Sequence, residues 1–71
     1  MRIKLKVGEV EISKNNKIIV NVTEFKTKDK IDIRSWFLNS EGEWIPTKRG
    51  ITFEFQHKDS IMRLLALIDN K

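Results

Sequence analysis

The chain has 71 residues, no cysteine and one histidine, with fourteen Lys and Arg against ten Asp and Glu, giving a net charge of +4 and a pI near 9.6. That length suits a single domain, residues 1–71, which buries only ~60% of the surface its unfolded chain exposes; a lone protomer of this size is marginal, and oligomerisation is a common remedy. The composition excludes a disulfide scaffold and any thiolate nucleophile or metal ligand, and the basic balance favours a polyanionic partner.

Residues 1–7 alternate charged and apolar side chains and lack the continuous apolar core of a signal peptide, and no apolar run approaches a membrane span. A cytoplasmic protein without membrane contact is expected. Within this segment Ile3, Leu5 and Val7 share one face and Arg2, Lys4 and Lys6 the other, as in a strand. After Gly8 the apolar members Val10 and Ile12 fall on even positions. Such a parity switch marks a β-bulge or a strand break, because one extra residue turns every later side chain over. Residues 14–16, Lys-Asn-Asn, tolerate left-handed backbone and predict a hairpin turn.

Residues 17–25 are rich in β-branched side chains and read as a second strand. Ile18, Val20 and Val22 face one way, and Ile19, Asn21, Thr23 and Phe25 the other. A charged turn over 26–29 leads to a third strand, 30–38, which places Ile31, Ile33 and Phe37 opposite Asp32, Arg34 and Trp36. Residues 39–42, Asn-Ser-Glu-Gly, carry turn chemistry, with Gly42 free to take positive φ. Residues 43–50 read as a loop or irregular strand, since Pro46 bars a central ladder position. A fourth main strand follows at 51–55. From about 58 to 69 the period changes: Ile61, Leu64, Leu65 and Ile68 recur at helical spacing, with Met62 and Leu67 widening the stripe and Asp59 or Ser60 as the cap. This stripe covers the protomer's own core or packs on a second copy as well. The fold class is α+β: a curved four- to five-stranded antiparallel sheet followed by one C-terminal helix.

Catalytic chemistry finds little support. Ser13, Ser35, Ser40 and Ser60 lie in no nucleophile elbow, His57 has no motif-level partner, and Glu9 with Glu11 or Glu41 with Glu43 are solvated pairs rather than acid–base couples. No enzyme, cofactor or metal is expected. What stands out is the stretch Phe25 to Trp44, which holds four of the six aromatic residues: Phe25, Trp36, Phe37 and Trp44. Lys26, Lys28, Lys30, Arg34, Lys48 and Arg49 run through and just beyond it. Single-stranded nucleic acid is held by this combination, cations following phosphates and rings stacking on bases at ~1–3 kcal/mol each. A sheet suits it, because alternate side chains project the same way every ~7 Å. The competing reading makes the rings core and the cations a solvated rim.

In one register, Glu24, Phe25, Lys26, Lys28, Ile31-Asp32-Ile33-Arg34, Trp36-Phe37, Glu41-Gly42, Pro46, Lys48-Arg49 and Gly50-Ile51 resemble the signature of the transcriptional coactivator family typified by positive cofactor 4, in a compact prokaryotic or viral form. The resemblance implies four curved antiparallel strands and a helix. It implies a homodimer joined largely through the helix, here Ile61, Met62, Leu64, Leu65, Leu67 and Ile68. It further implies binding of single-stranded or unwound DNA with little sequence preference, in a nucleoid-associated protein that meets transcription or replication proteins. Carried over, the stacking rings are Phe25 and Phe37, and the backbone contacts Lys26, Lys28, Arg34, Lys48 and Arg49. Strand parity groups Phe37 with Ile31 and Ile33, which makes Trp36 the open ring unless a bulge intervenes. Trp44 adds a stack or covers the dimer. The alternative functions are a dimeric protein-interaction module and RNA binding through the same surface, since stacking does not distinguish the two sugars.

Overall fold

The computed structural model describes residues 2–68, with Arg2 through its backbone alone. Four strands, β1 (Arg2–Ser13), β2 (Asn16–Phe25), β3 (Lys28–Leu38) and β4 (Trp44–Glu54), pair antiparallel in that order as an open meander with β1 and β4 at its edges. A 3-10 turn, Phe55–His57, then runs into one helix, α1 (Lys58–Ala66). The expected α+β architecture is the one observed.

Each connection has a local cause. Between β1 and β2, Ser13 pairs with Asn16, whose side-chain amide donates to the Ser13 hydroxyl at 3.2 Å. The left-handed backbone expected in this turn is not used: among described non-glycine residues only Lys26 (φ 51) and Thr27 (φ 66) have positive φ. These two form the β2–β3 hairpin tip, so the expected turn over 26–29 shrinks to two residues, and Lys28 and Asp29 join β3. Positive φ at both central residues matches strand twist in a two-residue hairpin but normally calls for Asn-Gly. Between β3 and β4, the Asn39 side-chain oxygen accepts from the backbone N–H of Glu41 and of Glu43, both at 2.9 Å, while Gly42 takes φ 81.

The bulge expected at Gly8 is present: Lys6 pairs with Asn21 but Gly8 with the very next residue of β2, Val20. Residues 43–50 prove to belong to a continuous β4 rather than a loop. Pro46 is accommodated because β4 is an edge strand, where a missing N–H interrupts no ladder. The irregularity is a surplus: Arg34 pairs with Gly50 and Trp36 with Pro46, so two steps along β3 face four along β4.

The two sheet faces differ. On one, Lys17, Ile19, Asn21 and Thr23 of β2 lie beside Asp32 and Arg34 of β3 and Thr52 of β4. Asn21 and Thr23 are 1% exposed and Asp32 4%, although α1 lies over the opposite face. On this face Arg34 and Thr52 engage Asp32, and Lys17 lies across to the Trp44 ring and Glu9. On the other, Val20, Val22, Ile31, Ile33 and Phe53 look toward Ile61, Met62 and Leu65 of α1 across a cavity of about 270 Å³. The helix therefore spans its sheet without filling the space beneath it. Its helical residues end at Ala66, and the last part of the expected span, residue 69, lies outside the described residues. His57 occupies the N-cap without a side-chain bond, so neither Asp59 nor Ser60 caps the start; the preceding 3-10 turn moves the boundary upstream, and the Lys58 N–H bonds back to the Phe55 carbonyl.

The accessible surface is 5951 Å², against about 4,600 Å² for an ordinary monomer of this mass. The radius of gyration is 13.5 Å, against roughly 11 Å for a compact chain of this length. Ile19 and Ile31 are the only buried apolar residues among those described.

Candidate nucleic-acid interface

At the hairpin tip, β2 ends on Phe25 with its ring on the polar face, in parity with Asn21 and Thr23. Phe25 is 43% exposed. The ammonium of Lys26 stands 5.4 Å from its centroid and that of Lys30 5.6 Å. Lys28 pairs with Phe25 across the hairpin and remains exposed, its ammonium 3.9 Å from Glu54. Neither Lys26 nor Lys30 makes an ion pair with a described residue. Cations over a ring contribute about 0.5–1 kcal/mol at exposed sites, and they orient the ring without covering it. A planar π-system with an anion attached is the complement of this arrangement.

Further along the same face, Arg34 is held by internal partners. Its Nε donates to both Asp32 oxygens at 2.9 Å, Nη2 to Asp32 Oδ1 at 2.7 Å and Nη1 to the Thr47 carbonyl at 2.9 Å. The Asp32 hydrogen bond, first, and its charge hold the guanidinium pKa above the ordinary arginine value, against desolvation. Thr52 adds a hydroxyl donor to Asp32 Oδ1 at 2.8 Å. Thr47 donates its hydroxyl to the Ser35 carbonyl at 2.8 Å and accepts from the Arg49 N–H at 3.1 Å. The surplus residues of β4 are thereby fixed, with Lys48 and Arg49 exposed upon them. Gly50 closes the irregularity by close approach: a Cβ there would lie 2.2 Å from the Arg34 Cβ and 2.6 Å from the Ile33 carbonyl oxygen.

Toward the far end of β3, Trp36 pairs with Lys17 on one side and Pro46 on the other. It is half-buried, and its indole N–H is enclosed without an acceptor among the described residues. Trp44 lies beneath the Lys17 ammonium at 4.1 Å. Lys17, nearly buried, also pairs with Glu9 at 3.1 Å. Hydrogen bonds from Lys6, first, and Lys17 hold the Glu9 carboxyl below its usual range. Phe37 pairs with Asn16 and Ile45, lies on the opposite face from Trp36 and is 40% exposed. A bulge does intervene near the aromatic pair, but it sits on β4, so the parity of β3 stands; even so Trp36 is not the open ring expected, being half-buried where Phe37 is exposed.

The structure thus gathers Phe25, Lys26 and Lys28 at one end of the polar face, with Lys30 joining them, and Trp36 and Trp44 at the other. Lys48 and Arg49 stand beside Arg34 between them. Phe37 is not brought together with Phe25; nine steps of β3 separate Lys28 from Phe37, roughly 30 Å. Ile61, Met62, Leu64, Leu65, Leu67 and Ile68 cluster on and just after α1, away from this face, and all but Ile61 are exposed. Sequence reasoning overlooked Lys17, Asp32, Thr47 and Thr52. Lys17 shares strand parity with Asn21 and Thr23, and that period-2 polar run was the available signal.

The family model described as Transcriptional Coactivator p15 (PC4) matches residues 12–60, from the end of β1 to the first turn of α1. Two crystal forms of a PC4 homologue from Burkholderia pseudomallei share the fold. The orthorhombic form superposes with a TM-score of 0.85 at 20% identity, covering 93% of this chain and 88% of that one. The tetragonal form gives 0.82 at 19%, covering 87% and 91%. A bacteriophage T5 homologue of the eukaryotic transcription coactivator PC4, implicated in recombination-dependent DNA replication, gives 0.63 at 24%, covering 83% and 69%. With the family model spanning three of the four strands whole, and the same meander and helix in these relatives, the chain belongs to the Transcriptional Coactivator p15 (PC4) family.

Proposed function

We propose that the polar face binds single-stranded DNA with little sequence preference, as part of a homodimer joined through α1 and the apolar face. The observation that carries this reading is Phe25: a ring open to water, flanked by the ammonium groups of Lys26 and Lys30 and faced by Lys28. A protein-binding hot spot has its ring at a dry centre and keeps charge on the rim. Here cations surround the ring itself. Bases stack on Phe25, phosphates meet Lys26, Lys28 and Lys30, and Lys48 and Arg49 continue the cationic track toward Trp44. The family of which this chain is a member, and the replication-linked phage homologue, support DNA as the partner. Holding unwound strands serves transcription, replication and repair alike.

The surface that one copy leaves bare supports the dimer. About 1,300 Å² beyond an ordinary monomer's surface is accessible, and a standard interface takes about 800 Å² from each partner. Met62 and Leu65 line the space between helix and sheet and are exposed, and Leu64 and Leu67 stand exposed on and just after the same helix. A second copy's apolar side chains fill that space.

Calorimetric titration with homopolymer deoxyoligonucleotides, matched ribo-oligomers and a duplex, each at two salt concentrations, tests the reading. Single strands should bind more tightly than duplex, with log K falling linearly against log salt. Phe25→Ala should weaken every deoxy-homopolymer alike, by ~1–3 kcal/mol. Equal affinity for duplex and single strand, or indifference to Phe25→Ala, would refute it; tighter ribo-oligomer binding would move the assignment to RNA.

A further inference from the structure

We propose that Arg34 serves this binding as a positioning residue: locked to Asp32, it shapes the β4 surplus that presents Lys48 and Arg49, and does not itself meet phosphate. The inference rests on the reading of the polar face as a nucleic-acid surface, and it assigns Arg34 a different part from the backbone contact implied by resemblance.

A guanidinium has five N–H donors in a rigid fork. In Arg34 the Nε hydrogen and one Nη2 hydrogen go to Asp32, one Nη1 hydrogen goes to the Thr47 carbonyl, and the second Nη2 hydrogen points to the Thr52 hydroxyl at 3.4 Å. One hydrogen is left over. To grip a phosphate with its fork, Arg34 would have to abandon Asp32, whose carboxylate is nearly sealed from water. Leaving a buried carboxylate unpaired is strongly unfavourable. The same geometry explains where the exposed cations come from. Arg34 grips the Thr47 carbonyl, Thr47 ties its hydroxyl to β3 at Ser35 and receives the Arg49 N–H, and Gly50 brings β4 back against the Arg34 Cβ. Residues 47–50 are thus fastened at both ends to β3, and Lys48 and Arg49 are held out between the fastenings.

Asp32→Asn distinguishes the two roles by sign. If Arg34 contacts phosphate, removing a negative charge from the face and releasing the guanidinium strengthens single-strand binding. If Arg34 positions the 47–50 segment, the amide nitrogen opposes the Arg34 donors, the segment loosens and binding weakens, here by an expected three- to tenfold. Thr47→Val provides a variant that changes no charge and leaves the Asp32–Arg34 pair in place. It should lower affinity severalfold and reduce the salt slope by about 0.7 for each phosphate that Lys48 or Arg49 no longer neutralises. Hydrogen exchange of the free protein supplies a readout independent of DNA: in both variants the Arg49 amide should exchange faster, while amides of β2 that pair with β3 near the hairpin tip stay protected. Asp32→Asn binding as tightly as the parent or more so, an unaltered salt slope in Thr47→Val, or an Arg49 amide indifferent to both changes would each overturn the proposal. Should the parent bind no single strand at all, the reading of the face fails, and the exchange experiment still decides whether Arg34 organises the segment.

Discussion

On one face of the sheet Asn21, Thr23 and Asp32 are almost sealed from water although no helix covers them; on the other, Ile51, Met62 and Leu65 remain exposed although a helix lies across it. The usual assignment of polar to outside and apolar to inside is reversed within one protomer. The polar face is nearly closed: Arg34 and Thr52 engage Asp32, and Lys17 reaches Glu9 and the Trp44 ring, while the Trp36 indole N–H is enclosed without an acceptor among the described residues. The apolar face is unfinished, because one short helix cannot fill the space above four curved strands. The lesson is that burial here reports which surface is complete, not which is hydrophobic.

The comparison breaks most easily on the apolar side. Leu65→Asp, placing a carboxylate where the proposed second copy packs, is expected to cost several kcal/mol and to convert the proposed dimer to a poorly folded monomer. Sedimentation velocity with thermal melting checks this, and an unchanged dimer would show that the face is not covered by a second copy. On the polar side the largest effect should come from Gly50→Ala, whose methyl would lie 2.2 Å from the Arg34 Cβ. Overpacking of this kind costs ~1–3 kcal/mol, read by chemical denaturation. Thr27→Gly should act in the opposite direction. A β-branched residue at φ 66 carries about 1–2 kcal/mol of strain, and glycine relieves most of it, raising the melting temperature while leaving Phe25 in place. The smallest effect concerns Glu9, whose carboxyl is held below its ordinary value in the folded protein by Lys6 and Lys17. Because the folded value is depressed, this pairing stabilises fully above the ordinary carboxylate pKa and fades as pH falls through the folded value. Glu9→Gln should therefore lose a little stability at neutral pH and none once the parent's carboxyl is protonated, so that the two stability profiles converge on the acid side.

The two edge strands explain how much of this was legible. In β1 the one-residue surplus at Gly8 coincides with the change of apolar positions from odd to even and could be read directly, whereas an equal surplus between Ile3 and Leu5 could not, because it puts these two apolar residues on opposite faces without breaking the alternation. In β4 the surplus is two residues, which preserves parity: Pro46 and Gly50 fall on the same face, and alternation shows no break. Only the proline marks the region, and a proline suits a loop as readily as an edge strand. The strands, the helix and the position of Phe25 were legible because each rests on local periodicity. The engagement of Arg34 was not, although Asp32 and Arg34 two apart on a strand must share a face; a carboxylate beside an arginine reads the same whether the arginine is free or locked. The enclosed indole N–H of Trp36 and the burial of Lys17 depend on curvature, which no single strand encodes.

Both edge strands also decide how copies of the protein can meet. Backbone groups along a free edge invite another strand, and long flat edges lead to runaway polymerisation or fibrils. Here Pro46 withdraws a donor from β4 and the Lys48–Arg49 surplus crooks it, while β1 is interrupted by three register shifts and carries Lys4 and Lys6. Neither edge offers a straight template to a neighbour. The pairing proposed for the exposed apolar side chains would close on itself, whereas these edges guard against backbone zippering that never closes.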